Sequence, residues 1–183
     1  MIPVGNLYYL LCYAWNKLDE SELIDVNALP RQDLPNLLGR ILVGGVTRLL
    51  RQGVDRAYIE SSEITHGPKG KIDLAFTVKT GSLDRNAVRC QIDALDQNIL
   101  HNQIIKTILH RLTAAQEVDA SLRSSMRVLA QHLNSVSAIG LRNQDFKRVQ
   151  LHRNNSFYRF LLNVCELCHL LPITRSMPGT VQV

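Results

Sequence analysis

The stretch Cys165-Glu166-Leu167-Cys168-His169 matches the C-x-x-C-H string through which c-type haem is attached, and it is the sharpest chemical motif in the chain. That chemistry needs an exported protein. The opening Met1-Ile2-Pro3-Val4-Gly5 shows neither a basic leader nor a secretory cleavage pattern. On a helix, Cys165 and Cys168 share the face of Phe157, Leu161 and Val164, so the spacing predicts two small buried hydrophobes. A zinc site would need a second ligand pair, and none has suitable spacing.

Other residue patterns invite chemistry and fall short of it. Gly67-Pro68-Lys69-Gly70-Lys71 resembles a phosphate-binding loop, but it lacks the G-x-x-x-x-G-K-[ST] frame and leads into an expected strand, so it reads as a hairpin turn. A divalent cation poised for nuclease chemistry needs at least two convergent carboxylates and a lysine. Asp73 and Lys79 offer one of each. On an expected strand, residues six apart lie about 20 Å from one another, too far to share an ion. Asp84, Asp93 and Asp96 fall around expected turns and caps. The six histidines are scattered, with His101 and His110 expected on the surface of one helix. No serine or cysteine sits in a nucleophile elbow. No catalytic centre is therefore expected, and the chain should act by contact.

Composition supports an ordinary domain. The 183 residues are 45% hydrophobic and 20% charged, enough for a real core. No apolar run reaches the roughly 18 to 20 residues that span a membrane. The four cysteines are unevenly spaced, which predicts cytoplasmic reduced thiols and no disulfide framework. The net charge of +5 is unevenly placed. Lys/Arg and Asp/Glu nearly balance up to residue 120. Residues 121–183 hold eight cations (Arg123, Arg127, Arg142, Lys147, Arg148, Arg153, Arg159 and Arg175) against only Asp145 and Glu166. Such asymmetry fits a surface for nucleic acid or an acidic partner, and equally a solvated basic face.

The elements that must position these residues follow from periodicity. Asn6 caps an expected helix to Leu18, and the polar stretch 19–33 is a connector. A second helix is expected over 34–51, with Leu37, Leu38, Ile41, Leu42, Val46, Leu49 and Leu50 inward and Gly53 at its C-terminal cap. The period then changes, and three short strands are expected over 57–64, 71–78 and 87–92. Asp96 should cap a helix over about 97–116, and a further helix should run over about 120–133. A turn-rich region follows over 134–155. A last helix runs from Ser156 to about Leu171, stopped by Pro172. The expected fold is α+β: helices flanking a small antiparallel sheet of about three strands, then C-terminal helices.

Several stretches carry a resemblance. The opening Ile2-Pro3-Val4-Gly5-Asn6-Leu7-Tyr8-Tyr9-Leu10-Leu11-Cys12-Tyr13-Ala14-Trp15 closely resembles the start of the McrC family. McrC is the subunit paired with the GTP-hydrolysing AAA+ motor McrB in modification-dependent (5-methylcytosine) restriction systems. Gly70-Lys71-Ile72-Asp73 is similar to the family's hairpin motif. Asp93, Asn98 and Asn102-Gln103-Ile104-Ile105-Lys106 are similar to its central helix entry, and Asn155 with Phe157-Tyr158-Arg159-Phe160-Leu161 to the following helix. The family has Arg where this chain has Gly5, so any contact of that guanidinium is missing.

The resemblance implies a partner-binding domain over 1–171 that docks onto a McrB-like AAA+ GTPase and stimulates its GTP hydrolysis, with an irregular tail over 172–183. It also implies that the family's distal PD-(D/E)xK nuclease domain has no counterpart here, as in a truncated homologue or a partial reading of a longer gene. GTP and magnesium would then belong to the partner or to that distal domain, and DNA would join as part of the complex. His66, Lys69, Lys71 and Arg85, on expected turns of the sheet, are the candidate partner contacts. For Tyr8, Tyr9, Trp15, Asn102 and Tyr158 scaffold packing is expected. The alternative is a basic DNA-binding module using residues 121–183, with Arg142, Lys147, Arg148 and Arg153 as its candidate contacts.

Overall fold

The computed structural model describes Tyr13 and residues 34–67, 69–81, 85–152 and 155–172. The helix expected over 6–18, the connector 19–33 and the tail beyond Pro172 lie outside the described residues, apart from the helical, exposed Tyr13. The described elements, in order, are α1 (Leu34–Gln52), β1 (Ala57–Thr65), β2 (Lys71–Ile72), α2 (Leu74–Lys79), β3 (Val88–Asp96), α3 (Leu100–Thr113), α4 (Ala120–His132), α5 (Asn143–Arg148) and α6 (Ser156–Leu170). The fold is α+β, as expected. Among the described residues no helix is long and apolar enough to cross a membrane. The chain divides into two compact units, one formed by the segments up to Val54 and from Leu100 onward, the other by Asp55–Ile99.

The helical unit buries one continuous apolar core. Leu37, Leu38, Ile41 and Leu42 of α1 are at most 1% exposed, the i, i+3, i+4 stripe that a helix must hide from water. α1 packs on α4 and α6, and α3 packs on the same two helices. Two glycines set the closeness of these contacts. A Cβ at Gly39 would lie 2.7 Å from Met126 Cε of α4, and one at Gly45 would run into Leu161 of α6. Polar anchors then tie the connections down. The Asn36 side chain donates to Glu117 O (3.2 Å) and accepts from the Asp119 N–H (2.8 Å). Lys106 Nζ donates to Leu133 O (3.0 Å) and Val136 O (2.6 Å), satisfying carbonyls at the end of α4. Gly53, at φ +94°, ends α1 as expected.

The sheet unit is an antiparallel sheet in the order β1-β3-β2. β1 and β3 pair along their whole length, from Ala57↔Asp96 to Thr65↔Val88, and Lys71↔Gln91 and Ile72↔Cys90 attach β2. Here one expectation fails. The strand expected over 71–78 stops after Ile72, and Leu74–Lys79 turn into a helix. Asp73 causes the switch: its carboxylate accepts the Phe76 N–H (3.0 Å) and its carbonyl accepts the Thr77 N–H (3.0 Å). A side-chain cap of this kind outweighs the β-propensity of a short run. Asp73 and Lys79 therefore bracket one short helix and do not stand along a strand.

Three smaller corrections follow. Asp96 is the last residue of β3, and its side chain accepts from the Asn98 N–H (2.9 Å) in a tight turn, so α3 begins at Leu100. The region 134–155 contains α5, whose six residues are too few for periodicity to reveal. His101, expected on the surface, is 7% exposed and meets the Tyr158 ring edge-on, centroids 4.8 Å apart. The reason is that α6 covers α3 on the face that runs 101, 105, 108, 112. Asn102 and Tyr158 are buried scaffold residues, in line with expectation.

Candidate functional site

The residues expected to meet a partner gather at one end of the sheet. Because Thr65 pairs with Val88, the turn leaving β1 and the connector entering β3 emerge at the same end. His66 lies one residue beyond Thr65, and Arg85 three residues before Val88. Lys69 is in the same turn as His66, and Lys71 opens β2 opposite Gln91. All four side chains are exposed. Separate in sequence, they share one rim.

That rim is stiffened by local bonding. The Thr65 hydroxyl donates to Gly67 O (2.6 Å), and the Lys69 N–H donates to the buried Cys90 Sγ (3.3 Å), pinning the turn onto β3. Gly70, at φ +74°, passes so close to the Gln91 carbonyl that a Cβ would collide with it. Behind the turn, α2 is stapled to β3. The Asp73 N–H donates to Arg89 O (2.8 Å), the Arg89 N–H donates to Thr77 Oγ1 (3.2 Å), and the Arg89 guanidinium stacks 4.2 Å from the centre of the Phe76 ring. Thr77 and Cys90 are positioning residues that sequence reasoning did not single out, and Asp73, singled out there as a carboxylate and as part of the hairpin motif, acts as a helix cap. For Asp73 the signal was the Asp-x-x-x-Thr string; for Cys90 the sequence held none.

Charge changes sign along the sheet. Toward the far end, Glu60 stands directly opposite Asp93, and Asp96 closes the strand pair, while exposed Glu63 lies nearer the cationic rim. Like charges directly opposite one another are unfavourable in a sheet, which marks the Glu60–Asp93 pair as a feature of the surface rather than of its stability. Tyr58 and Leu95, also opposite in register, are 77% and 51% exposed.

Three of the candidate DNA contacts gather on one short helix. Arg142, Lys147 and Arg148 are exposed around α5, but one carboxylate occupies that helix's start: Asp145 accepts the Arg142 N–H (2.8 Å) and pairs with Arg148 at 3.7 Å. Arg153 lies outside the described residues. Cys165 and Cys168 sit in the helical core, both fully buried as their spacing predicts. Burial pushes both thiols up, Cys168 to about 12 against the opposing pull of Arg111, and Cys165 well above its ordinary value with Cys168 adding to the rise. Both are thus protonated at neutral pH, the opposite of a thiolate ligand or nucleophile. Among the described residues no three His, Cys, Asp or Glu side chains converge as metal ligands.

These features define a helical scaffold with a small sheet unit inserted in its sequence, carrying a cationic rim. The chain belongs to the McrBC 5-methylcytosine restriction system component family, whose sequence profile matches residues 5–171. It is 32% identical over 179 residues to the type IV methyl-directed restriction enzyme EcoKMcrBC of Escherichia coli strain K12, covering 98% of this chain and 50% of that protein. Its fold matches a chain of the Thermococcus gammatolerans McrBC complex with a TM-score of 0.70 at 17% identity, covering 88% of this chain and 49% of that one. It also matches a chain of a half-complex from the tetradecameric assembly of T. gammatolerans McrB AAA+ hexamers with bound McrC, with a TM-score of 0.69, 17% identity and coverage of 88% and 40%. The chain thus spans about half the length of the relatives it matches.

Proposed function

We propose that this chain is the partner-engaging part of a McrC-like subunit in a 5-methylcytosine-directed DNA restriction system, where it binds a McrB-like AAA+ GTPase and stimulates its GTP hydrolysis. The observation that carries this reading is the cationic rim: His66, Lys69, Lys71 and Arg85 at one end of a sheet unit that is compact in its own right. Support comes from family membership and from the fold's likeness to a McrB–McrC assembly. A rim held by Gly70, Cys90 and the α2 staple presents its charges with little ordering cost, which is what a docking element needs.

The test is direct. Adding the purified chain to its cognate McrB-like GTPase should raise GTP turnover or give a co-eluting complex. The combined variant Lys69→Glu, Lys71→Glu, Arg85→Glu should lose most of that effect, about tenfold or more, because each like-charge contact opposes docking. Absence of both stimulation and co-elution, with an active full-length McrC relative as control, sinks the proposal. The alternative, a DNA-binding module over residues 121–183, requires binding that weakens steeply with salt. On the described part of that surface Asp145 pairs with Arg148, so the Arg142 and Lys147 charges would carry the contact.

A further inference from the structure

The helical unit contains a second feature that the cationic rim does not explain. A cleft of about 510 Å³ opens between the C-terminal half of α3, the extended segment 139–141 and the end of α6. Its size falls in the range of ligand-binding clefts. Ala114, Ile139 and Leu141 supply half-buried apolar walls above the fully buried Ile108, and Arg111 supplies the charge.

Arg111 is held in place by acceptors that carry no formal charge. Its Nη1 donates to His169 O (2.9 Å) and to His169 Nδ1 (3.1 Å), and its Nη2 donates to Leu171 O (3.1 Å). With Nδ1 accepting, the His169 proton sits on Nε2; burial first, and then the charge of Arg111, lower its basicity and keep it neutral near pH 7. Three of the five N–H donors of a guanidinium are thereby used, which among the described residues leaves Nε and one hydrogen of Nη2. The nearby carboxylate of Asp145 accepts from the Arg142 N–H and pairs with Arg148, and among the described residues no carboxylate forms an ion pair with Arg111.

We infer that this cleft docks a protein segment in which Asp or Glu stands beside an apolar side chain, the carboxylate meeting Arg111 and the apolar group meeting the half-buried Ile139 and Leu141. Charge complementarity selects the acid, because a preoriented guanidinium with free donors is suited to a planar carboxylate. The walls select the apolar neighbour. A nucleic-acid backbone is the poorer fit, since a run of phosphates calls for several cations along a polar track, and the cleft lining holds one arginine between apolar walls. This assignment is independent of the GTPase reading, because its residues belong to the other unit.

The experiment titrates the isotope-labelled full chain with a capped Leu-Glu-Leu peptide and with its Leu-Gln-Leu counterpart, following backbone amide shifts. The Glu peptide should shift the amides of Ile139, Gly140 and Leu141 saturably. The Gln peptide should bind at least about fivefold more weakly, the loss of a charge-assisted contact. Ala114→Glu places a carboxylate in the cleft while leaving the Arg111 tethers intact, and should abolish the shifts at unchanged thermal stability. Arg111→Gln should also abolish them, and any drop in its melting temperature would report the lost tethers separately. Equal binding of the two peptides, no shift with either, shifts that survive Ala114→Glu, or shifts produced only by a short DNA duplex would each overturn the assignment.

Discussion

At the scale of single residues, the same side-chain types take opposite roles according to burial. Cys165 and Cys168 look like a ligand pair on paper, yet in the core they are space-filling thiols whose ionisation is suppressed. This has a pH consequence whose sign is definite. The folded-state pKa of Cys168, about 12, lies above its ordinary value of 9.0, so its contribution to stability is full below pH 9 and is lost as pH rises toward 12. Denaturant midpoints should fall across that window, and the fall should be shallower in Cys165→Ala/Cys168→Ala. An identical slope in both proteins would show that the thiols ionise freely in the folded state. The motif itself was legible; its inertness depends on α6 being covered, which periodicity implied and packing completed.

At the scale of elements, a single cap overruled strand propensity. Lys71–Val78 alternates well enough to read as one strand, but Asp73 ends it and starts α2 by binding the Phe76 N–H. Asp73→Ala should cost about 1 kcal/mol, the usual worth of an N-cap, and Asp73→Asn only a fraction of that. Both are measured by equilibrium unfolding of the full chain. If Ala proves as stable as wild type, α2 is held by the Arg89–Phe76 stack and the Thr77 bonds alone. The long helices were easier to read. α1, α4 and α6 came within about one residue at most ends, because each has an apolar stripe of several turns and α1 and α6 have clear stops in Gly53 and Pro172. α5 has six residues and no buried side chain, so no period existed to detect.

At the scale of the whole molecule, the two units differ in how much they bury. The helical unit has a core of more than a dozen fully buried aliphatic side chains. The sheet unit buries chiefly Ala87, Cys90 and Thr77. Local opening free energy follows buried apolar contact. Amides of the β1–β3 ladder should therefore exchange with solvent faster than those of α1, α3 and α6 under native conditions. Binding of a GTPase partner to the cationic rim should slow the ladder selectively. Uniform exchange across both units would mean that they unfold as one cooperative block.

Although α3 is shorter than expected by three residues at each end, the sequence alone carried the family resemblance, the fold class, the spans of α1, α4 and α6 and the buried character of Cys165 and Cys168. All of these rest on local pattern, either periodicity or residues in fixed order. Tertiary structure decided what depends on distant parts of the chain meeting. It placed His101 inside, because α6 covers that face of α3. It brought His66, Lys69, Lys71 and Arg85 to one rim, because the β1–β3 register joins two turns about twenty residues apart. It also gave Arg111 neutral partners from the end of α6 and a cleft to face. Which charges are spent and which remain available is a matter of through-space neighbours, and local pattern does not encode them.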